Sequence, residues 1–582
     1  MKSFAFLVLM ITSCALDAQM FTKVTNSPLS TTAGDSRSVN WVDVNGDGYI
    51  DCFISNGPQA GQNNMLYLND TNGNFTAIVD DPIVMDKAPS DGATFADFDN
   101  DGDLDGFVVN WYNKNNLAYI NDGTGKFTQV TEGIWVNHLG YSETAAFGDY
   151  NNDGLVDLYV TNSAGILKNF LYKNLGGNSM EAVAGISPVT DLFSSRNVSW
   201  TDIDSDSDLD LYVTNENGEQ ENLYRNDGGG VFEKLNGLVI TTDGFNTMSS
   251  SWGDIDNDGD LDLFLANDGS KNQLFRNEGD FVFTRILTTD ISKNNARSFS
   301  SAWSDIDNDG DLDLFVTNAF QNGVRLKNLL YLNDGTGHLT EVTDEIVVTD
   351  TGWSYGCAFG DYDNDGFQDL AVATTRFGGA DDVDYLYHNN GNDNHWILLS
   401  LEGTTSNTSA IGAKVRLKSV VQDTATWQMR EVSSQSAYCS QNDLRVHFGI
   451  GDAIVIDSII IEWPSGIKQY LTGIFPNEIL HIKEGIVNSV DKEISPFGLK
   501  VFPNPTSSKI HLEATLKNNH EQLTLDVFGD TGQLVHTSSF SQVLSHFHHT
   551  FDLSGFHLTP GTYIVRLSDG ISAEEKKIVL IK

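Results

Sequence analysis

The chain has 582 residues, with 80 Asp or Glu against 34 Lys or Arg and a formal net charge of −46. This length exceeds one ordinary domain and implies two to four. The charge excludes nucleic acid as a partner, because phosphate binding needs a basic face. Apolar residues make up 40% of the chain, so it is not the depleted composition of a disordered acidic tail.

Residues 1–18 read as an export signal. Lys2 is the positive end, Phe4 to Ile11 the apolar stretch, and Ala18 a small residue at a cut site before Gln19. The apolar run falls short of the roughly 20 residues that a spanning helix needs, and no later run reaches that length. No transmembrane segment is therefore expected in the mature chain. "ITSC" leaves lipidation of Cys14 open as an alternative. After the cut only Cys52, Cys357 and Cys439 remain, an odd set that reads as buried free thiols rather than a disulfide framework.

One acidic loop then recurs seven times: 43–51, 97–105, 149–157, 202–210, 254–262, 305–313 and 361–369. Successive starts lie 54, 52, 53, 52, 51 and 56 residues apart. A period near fifty marks a supersecondary unit stacked repeatedly. An aromatic residue stands two positions before each loop: Trp41, Phe95, Phe147, Trp200, Trp252, Trp303 and Phe359. Seven positions before it is a hydroxyl: Ser36, Ser90, Ser142, Ser195, Thr247, Ser298 and Ser354. After the loop come an alternating β segment that usually closes on Asn, a short "LYLN"-type strand, and a Gly-rich turn to a further strand. Four strands per unit make one propeller blade. "MFTKVT" (20–25) copies the outer-strand sequence "KFTQVT" (126–131), whereas the seventh unit stops without one. Residues 20–25 are thus expected to close blade seven, which removes an open sheet edge.

The loops hold 30 acidic residues and no basic one, so a cation is expected among them. Oxygen ligands at positions 1, 3, 5 and 9, with Gly at 6 for the turn and a backbone carbonyl at 7, suit Ca²⁺. The expected ligands of the first three loops are Asp43, Asn45, Asp47 and Asp51; Asp97, Asp99, Asp101 and Asp105; and Asp149, Asn151, Asp153 and Asp157. Those of the next two are Asp202, Asp204, Asp206 and Asp210, then Asp254, Asp256, Asp258 and Asp262. The last two supply Asp305, Asp307, Asp309 and Asp313, then Asp361, Asp363, Asp365 and Asp369. Position 7, Asp260 in the fifth loop, is expected to face solvent. An EF-hand fits less well, since position 12 carries no Glu and strands follow. Ser207 replaces the turn Gly of the fourth loop, the weakest of the set.

These repeats resemble the FG-GAP/VCBS repeats of integrin-type seven-bladed propellers over residues 20 to about 390, with "FGD" at 147–149 and 359–361. The resemblance implies up to seven Ca²⁺ on one face and partner binding on the other. Residues beside the hydroxyl column would ring that second face: Arg37, Asp91, Glu143, Arg196, Met248, Phe299 and Tyr355. They form either a recognition surface or the mouth of a wet channel.

Residues 394–484, with "GAKVRL", "HFGIG" and "EWPSG", resemble the ASPIC/UnbV domain that follows such propellers in cartilage acidic protein. His447 and Cys439 lie here and read as packed side chains rather than ligands. A linker at 485–497 leads to residues 498–582, which resemble the C-terminal sorting domain of type IX secretion in Bacteroidetes, a small β-sandwich. The expected fold is all-β: signal 1–18, a seven-bladed β-propeller over 19–393, a β-rich ASPIC/UnbV domain, and a C-terminal β-sandwich. The expected function is a secreted or surface calcium-binding protein that holds an extracellular protein or glycan without catalysis. The type IX secretion machinery would engage its C-terminal domain. Neither a Gly-x-Ser-x-Gly elbow, a His-Glu-x-x-His helix nor a Cys/His zinc spacing is present. A polysaccharide-active enzyme and a purely structural surface-layer component stay open as alternatives.

Overall fold

The computed structural model describes residues 19–485 and 499–581, apart from 288–290, 292–294, 377–378, 503–505, 507, 516–519, 530–532, 544–545, 554–560 and 569–572. The expected export segment with Cys14, and the linker beyond Gly485, lie outside the described residues. Two compact units divide between Ile486 and Val487.

The first unit is built from repeated antiparallel four-stranded sheets. In blade 1 the strands are Ser36–Val42, Asp51–Asn56, Met65–Asn69 and Phe75–Ile78, in that order from inside to outside. Blades 2 to 7 begin at Ser90–Ala96, Ser142–Gly148, Ser195–Thr201, Thr247–Gly253, Asn295–Ser304 and Ser354–Gly360. The inner strands touch one another in that sequence, and Ser354–Gly360 touches Ser36–Val42, so they follow one another around a ring. Phe21–Val24 supplies the outer strand of blade 7, pairing antiparallel with Tyr385–Asn389.

The inner pair of strands in each blade is buried on both faces, as Ser90–Ala96 and Asp105–Asn110 illustrate. Each is covered by its own blade's neighbours, so the strict apolar–polar alternation of a one-sided sheet disappears. The aromatic column fills the space between blades. Phe95, Phe147, Trp200, Trp252, Trp303 and Phe359 each pack edge-on against an aromatic of the preceding blade, with centroids 5.3 to 6.4 Å apart. At the seam Trp41 instead donates its indole N–H to the carbonyl of Ala358 at 3.2 Å. Aromatic pairs of this kind add about 0.5–1.5 kcal/mol each beyond the area they bury.

Within the same unit, residues 395–483 form two further sheets. One joins Val446–Gly451, His395–Glu402 and Glu478–Lys483; the other joins Thr424–Glu431, Lys414–Val421, Ile456–Glu462 and Lys468–Ile474. Ile397, Val415, Phe448, Ile461 and Trp463 make their core, which is continuous with residues of blades 2 and 3 such as Phe107 and Phe147. Cys52, Cys357 and Cys439 are free and buried.

The second unit packs a three-stranded sheet, Lys500–Phe502, Lys509–Thr515 and His546–Asp552, with a four-stranded one. The latter runs Leu534–Val543, His520–Gly529, Gly561–Ser568 and Ala573–Leu580. Leu512, Leu525, Val565 and Ile578 are buried between them. No helix among the described residues is long and apolar enough to cross a membrane.

Phe21 is fully buried at the seam that its strand closes. Phe21→Ala is expected to cost about 3–5 kcal/mol, read as a lower midpoint of chemical unfolding; an unchanged midpoint would mean that this strand does not hold blade 7.

Candidate metal centres and the channel face

Each acidic loop turns at its sixth residue in the left-handed region, at φ +85° for Gly48, +105° for Gly102 and +95° for Gly259. Ser207 takes the same conformation at φ +76° despite its side chain, and its N–H still donates to Asp202 at 3.0 Å. The first aspartate of a loop is tied by the loop's own backbone: Asp97 accepts from the N–H groups of Asp101 at 3.0 Å and Gly102 at 2.8 Å. The same two bonds recur on Asp149, Asp202, Asp254, Asp305 and Asp361.

The ninth residue does more than face the loop. Asp51, Asp105, Asp210, Asp262, Asp313 and Asp369 each accept one bond from the second residue of the loop. With the other oxygen they accept from the Asn that ends the third strand, as in Asn277 to Asp262 at 2.7 Å. Asp157 accepts from Asn174 in the same way, but its other bond comes from the Asn151 amide. Burial pushes these carboxyls up, to about 7 for Asp51, about 8 for Asp105 and Asp157, and about 9 for Asp210 and Asp262.

Several of these carboxylates converge closely enough for one ion. Asp97, Asp99 and Asp101 form such a group, as do Asp202, Asp204 and Asp206; in each, the candidate ligand atoms lie within 4.8 Å of one another. So do Asp254, Asp256 and Asp262, and Asp305, Asp307 and Asp313. At the third position, one oxygen each of Asp99, Asp204, Asp256 and Asp363 is buried with no hydrogen-bond donor. A buried carboxylate oxygen without a donor is costly, and a cation held by the cluster would supply the missing partner. The donor set fits a hard cation.

The fourth residue of the loop, which the sequence reading passed over, joins blade to blade. Asn100 donates to the Gly154 carbonyl, Asn308 to that of Gly366, and Asn364 to that of Gly48, which crosses the seam from blade 7 to blade 1. Asn152 and Asn257 reach the position-7 aspartates Asp208 and Asp311 instead. Position 7 therefore receives the neighbouring blade at those sites rather than facing solvent alone. His388 was also missed: its ring stands 3.1 Å from Asp369 and 3.6 Å from Asp363, and the bond to Asp369 pushes its imidazolium up to about 9.

The module at 395–483 covers the loop face with donors and cations. The Lys414 ammonium lies 2.9 Å from Asp202, in the loop that lacks its turn Gly. The Gly449 N–H donates to Asp305, and Arg445 donates to the Asp361 carbonyl and to Asn364. His447 is buried against the Gly366 carbonyl, and burial pulls its imidazole down to about 3, so it is neutral.

From this module, residues 433–442 run into the ring and occupy its centre. Gln441 exchanges backbone bonds with Val39 and Trp41 of blade 1, and its side chain bonds both backbone groups of Phe95 in blade 2. Ser434 does the same for Phe147 in blade 3, while the Asn442 side-chain oxygen accepts from the Phe359 N–H in blade 7. Inner-strand edges that would otherwise need water are thus satisfied.

The tip, Tyr438, is fully buried and meets five of the seven residues expected to ring the opposite face. Its hydroxyl donates to Glu143 at 2.8 Å and accepts from Arg196 at 3.2 Å, and it lies 3.5 Å from that of Tyr355. Arg196 also pairs with Glu143 at 2.8 Å and Glu216 at 2.7 Å. Arg37 lies 4.8 Å above the Tyr355 ring and 3.9 Å from Asp91. Met248, Phe299 and Tyr355 pack on Tyr438 and Cys439. Five of the positions thus converge on an internal loop, with Arg37 and Asp91 beside Tyr355. Asp91, Glu143, Met248, Phe299 and Tyr355 are buried, so they are neither an open recognition surface nor a wet channel mouth. The physical reason is that the loop's aromatic tip packs into the space these residues surround.

The repeats match the FG-GAP-like repeat. The matching segments are residues 43–108, 97–160, 202–265, 254–316 and 318–372. Residues 403–489 match ASPIC and UnbV, and residues 500–582 match a secretion system C-terminal sorting domain. Export by type IX secretion, to the cell surface or beyond it, follows from that last match. Cartilage acidic protein 1 of Xenopus tropicalis is 24% identical over 317 residues, 49% of this chain and 48% of that protein. The chain thus spans about half the length of this curated relative. Among solved structures, an Agrocybe aegerita protein described as specifically recognising non-reducing terminal N-acetylglucosamine has a TM-score of 0.40 at 16% identity, covering 56% of this chain and 88% of its own. A Lactobacillus plantarum protein has a TM-score of 0.38 at 13% identity, covering 54% and 85%.

Two substitutions probe the second module's grip. Tyr438→Phe leaves Glu143 buried without one of its donors and is expected to cost about 1.5–3 kcal/mol, measured by chemical unfolding of the full chain. Glu484 accepts from the N–H groups of Thr404, Thr405 and Ser406 and from the Ser406 and Ser465 hydroxyls. Burial opposes its charge, but these donors prevail and hold its carboxyl down, from 4.5 to about 2. A depressed carboxyl stabilises the fold above its ordinary value, and that stabilisation is lost as the pH falls through its folded value. Glu484→Gln should therefore lower the melting temperature at pH 7, and its difference from wild type should shrink as the pH falls from about 4.5 towards 2; a pH-independent difference would contradict this.

Proposed function

We infer that the chain is a secreted, calcium-stabilised surface protein that binds an extracellular protein or glycan without transforming it. The observation that carries the calcium reading is the set of buried, donorless oxygens at Asp99, Asp204, Asp256 and Asp363, each at the third ligand position. At Asp99, Asp204 and Asp256 the clustered donors are carboxylates alone, which with a tight turn suit Ca²⁺ better than a softer metal that favours imidazole or thiolate, whereas at Asp363 the His388 imidazole joins the group. When bound, the ion supplies charge neutralisation; the chain's own residues place the carboxylates and connect the blades.

The non-catalytic reading rests on the state of the charged ring. Catalysis needs an acid, base or nucleophile open to a substrate. Glu143 and Arg196 pair with each other and with Tyr438, and Asp91 is buried beside Arg37. The loop face is covered by the second module, which leaves the opposite face of the ring as the surface for a partner. Export through the sorting domain fits this role.

Calcium sites of extracellular modules bind at about 10⁻⁴ to 10⁻³ M, so a few millimolar calcium adds about 1 kcal/mol per site. Calorimetry should show a melting temperature that rises with CaCl₂ and falls in EDTA, and metal analysis should find several calcium ions per chain. Asp256→Asn and Asp262→Asn together should remove one of them. A chain that binds no calcium and melts identically in EDTA would overturn this reading.

A further inference from the structure

The loops that join second to third strands lie at the opposite end of the blades from the acidic loops. Among them, those of blades 2, 3 and 6 carry basic residues and no Asp or Glu, and those of blades 2 and 3 are neighbours. Residues 111–116, 138–141 and 163–169 contain Lys114 and Lys168 and no Asp or Glu, in a chain with a net charge of −46. They also carry the half-exposed rings of Trp111, Tyr112 and Tyr141. Ile166 is 81% exposed and Leu139 is 56% exposed beside them.

These segments form one surface. Lys114 and Gly140 exchange backbone bonds, the Ser163 N–H donates to the Tyr141 carbonyl, and the Trp111 indole donates to Ser163 at 3.0 Å. Ser163 in turn donates to Glu143, so the patch is braced by the ring around Tyr438. Three bulky or polar residues here hold left-handed backbone, Tyr112 at φ +60°, Asn113 at +56° and Leu167 at +56°. Side chains other than Gly enter that region at a cost, and such conformations concentrate at binding sites.

The chemistry of the patch narrows its occupant. Trp111 meets Tyr112 and Tyr141 edge-to-face, at 4.7 and 4.9 Å between centroids. Those contacts use up ring faces that a pyranose would need for stacking. Exposed Ile and Leu beside Trp and Tyr, with lysines at the edge, is the make-up of a protein-binding hot spot. The lysines and the absence of acids select for negative charge. We propose that this patch docks an acidic segment of a partner protein, one in which carboxylates alternate with aliphatic or aromatic side chains. The proposal rests on the binding-module reading above and gives it a place and a partner chemistry.

The test uses the full chain in millimolar calcium and fluorescent synthetic peptides that alternate Asp or Glu with Leu or Phe. Peptides with Lys in place of the acids, and polygalacturonate, serve as the competing chemistries. Ile166→Asp combined with Lys114→Glu should weaken the acidic peptides at least about tenfold, as expected for a hot-spot loss. Gln59→Asp, on the corresponding loop of blade 1, should leave them unchanged, and both variants should melt as wild type does. Acidic peptides that bind the double variant as well as wild type would overturn the patch while leaving a binding module in place. Affinity for polygalacturonate alone, lost in the double variant, would overturn the protein partner and assign the patch to a glycan. A folded wild-type chain that binds none of these probes would overturn the proposed partner chemistry, and with glycan arrays also blank would count against the binding module itself.

Discussion

Carboxylates crowded together at a buried turn are the constraint on which the rest of this structure depends. Two of them 4.8 Å apart repel by about 3 kcal/mol at an effective dielectric near 20. The loops reduce that penalty with backbone donors on the first residue and a double clamp on the ninth, but the third residue is left with an orphaned oxygen in four of them. A bound cation would complete the arrangement. Once it is present, the turn holds the inner two strands of a blade, the ninth residue holds the third strand, and the fourth residue holds the next blade. Charge neutralisation at one point is thereby converted into connectivity in three directions.

The second module supplies a complementary solution. A ring of blades leaves the edges of its inner strands facing a central void, and those edges carry backbone groups that must be bonded. A single loop from residues 433–442 meets that demand in blades 1, 2, 3 and 7 and inserts an aromatic tip at its far end. Lys414 and Arg445 bring positive charge to the acidic face from the same module. Propeller and module therefore form one compact unit, consistent with a hydrophobic core that runs from Phe107 and Phe147 into Val415 and Phe448.

Much of this was legible because it repeats. The period of the loops and the aromatic column depend on strict recurrence, and the free buried thiols follow from an odd count of cysteines. The fourth loop position escaped notice because Asn in a turn already has a local explanation, its tolerance of left-handed backbone. The plug escaped for a different reason: Tyr438 and Glu143 are 295 residues apart, and nothing periodic connects them. The variety of the ring residues was misread for the same cause. Glu143 and Arg196 meet the Tyr438 hydroxyl, whereas Phe299, Met248 and Tyr355 meet its ring, so their differences record the shape of one inserted side chain rather than an external ligand.

That distinction bears on where function resides in a repeated fold. Positions shared by all blades serve the ring, and positions that differ by blade serve something that lacks its symmetry. Here much of the inner asymmetry is used by the plug. The remaining asymmetry lies in the second-to-third strand loops, which are neutral in blades 1 and 5, acidic in blades 4 and 7, and basic in blades 2, 3 and 6, with Trp111 and Tyr112 in that of blade 2. A chain this acidic repels most acidic surfaces at long range, so a local patch of opposite character would act as a filter on approach as well as a contact on arrival. Selectivity then comes from the contrast between the patch and the rest of the molecule, and the heavy negative charge that the cation loops require becomes the background against which it works.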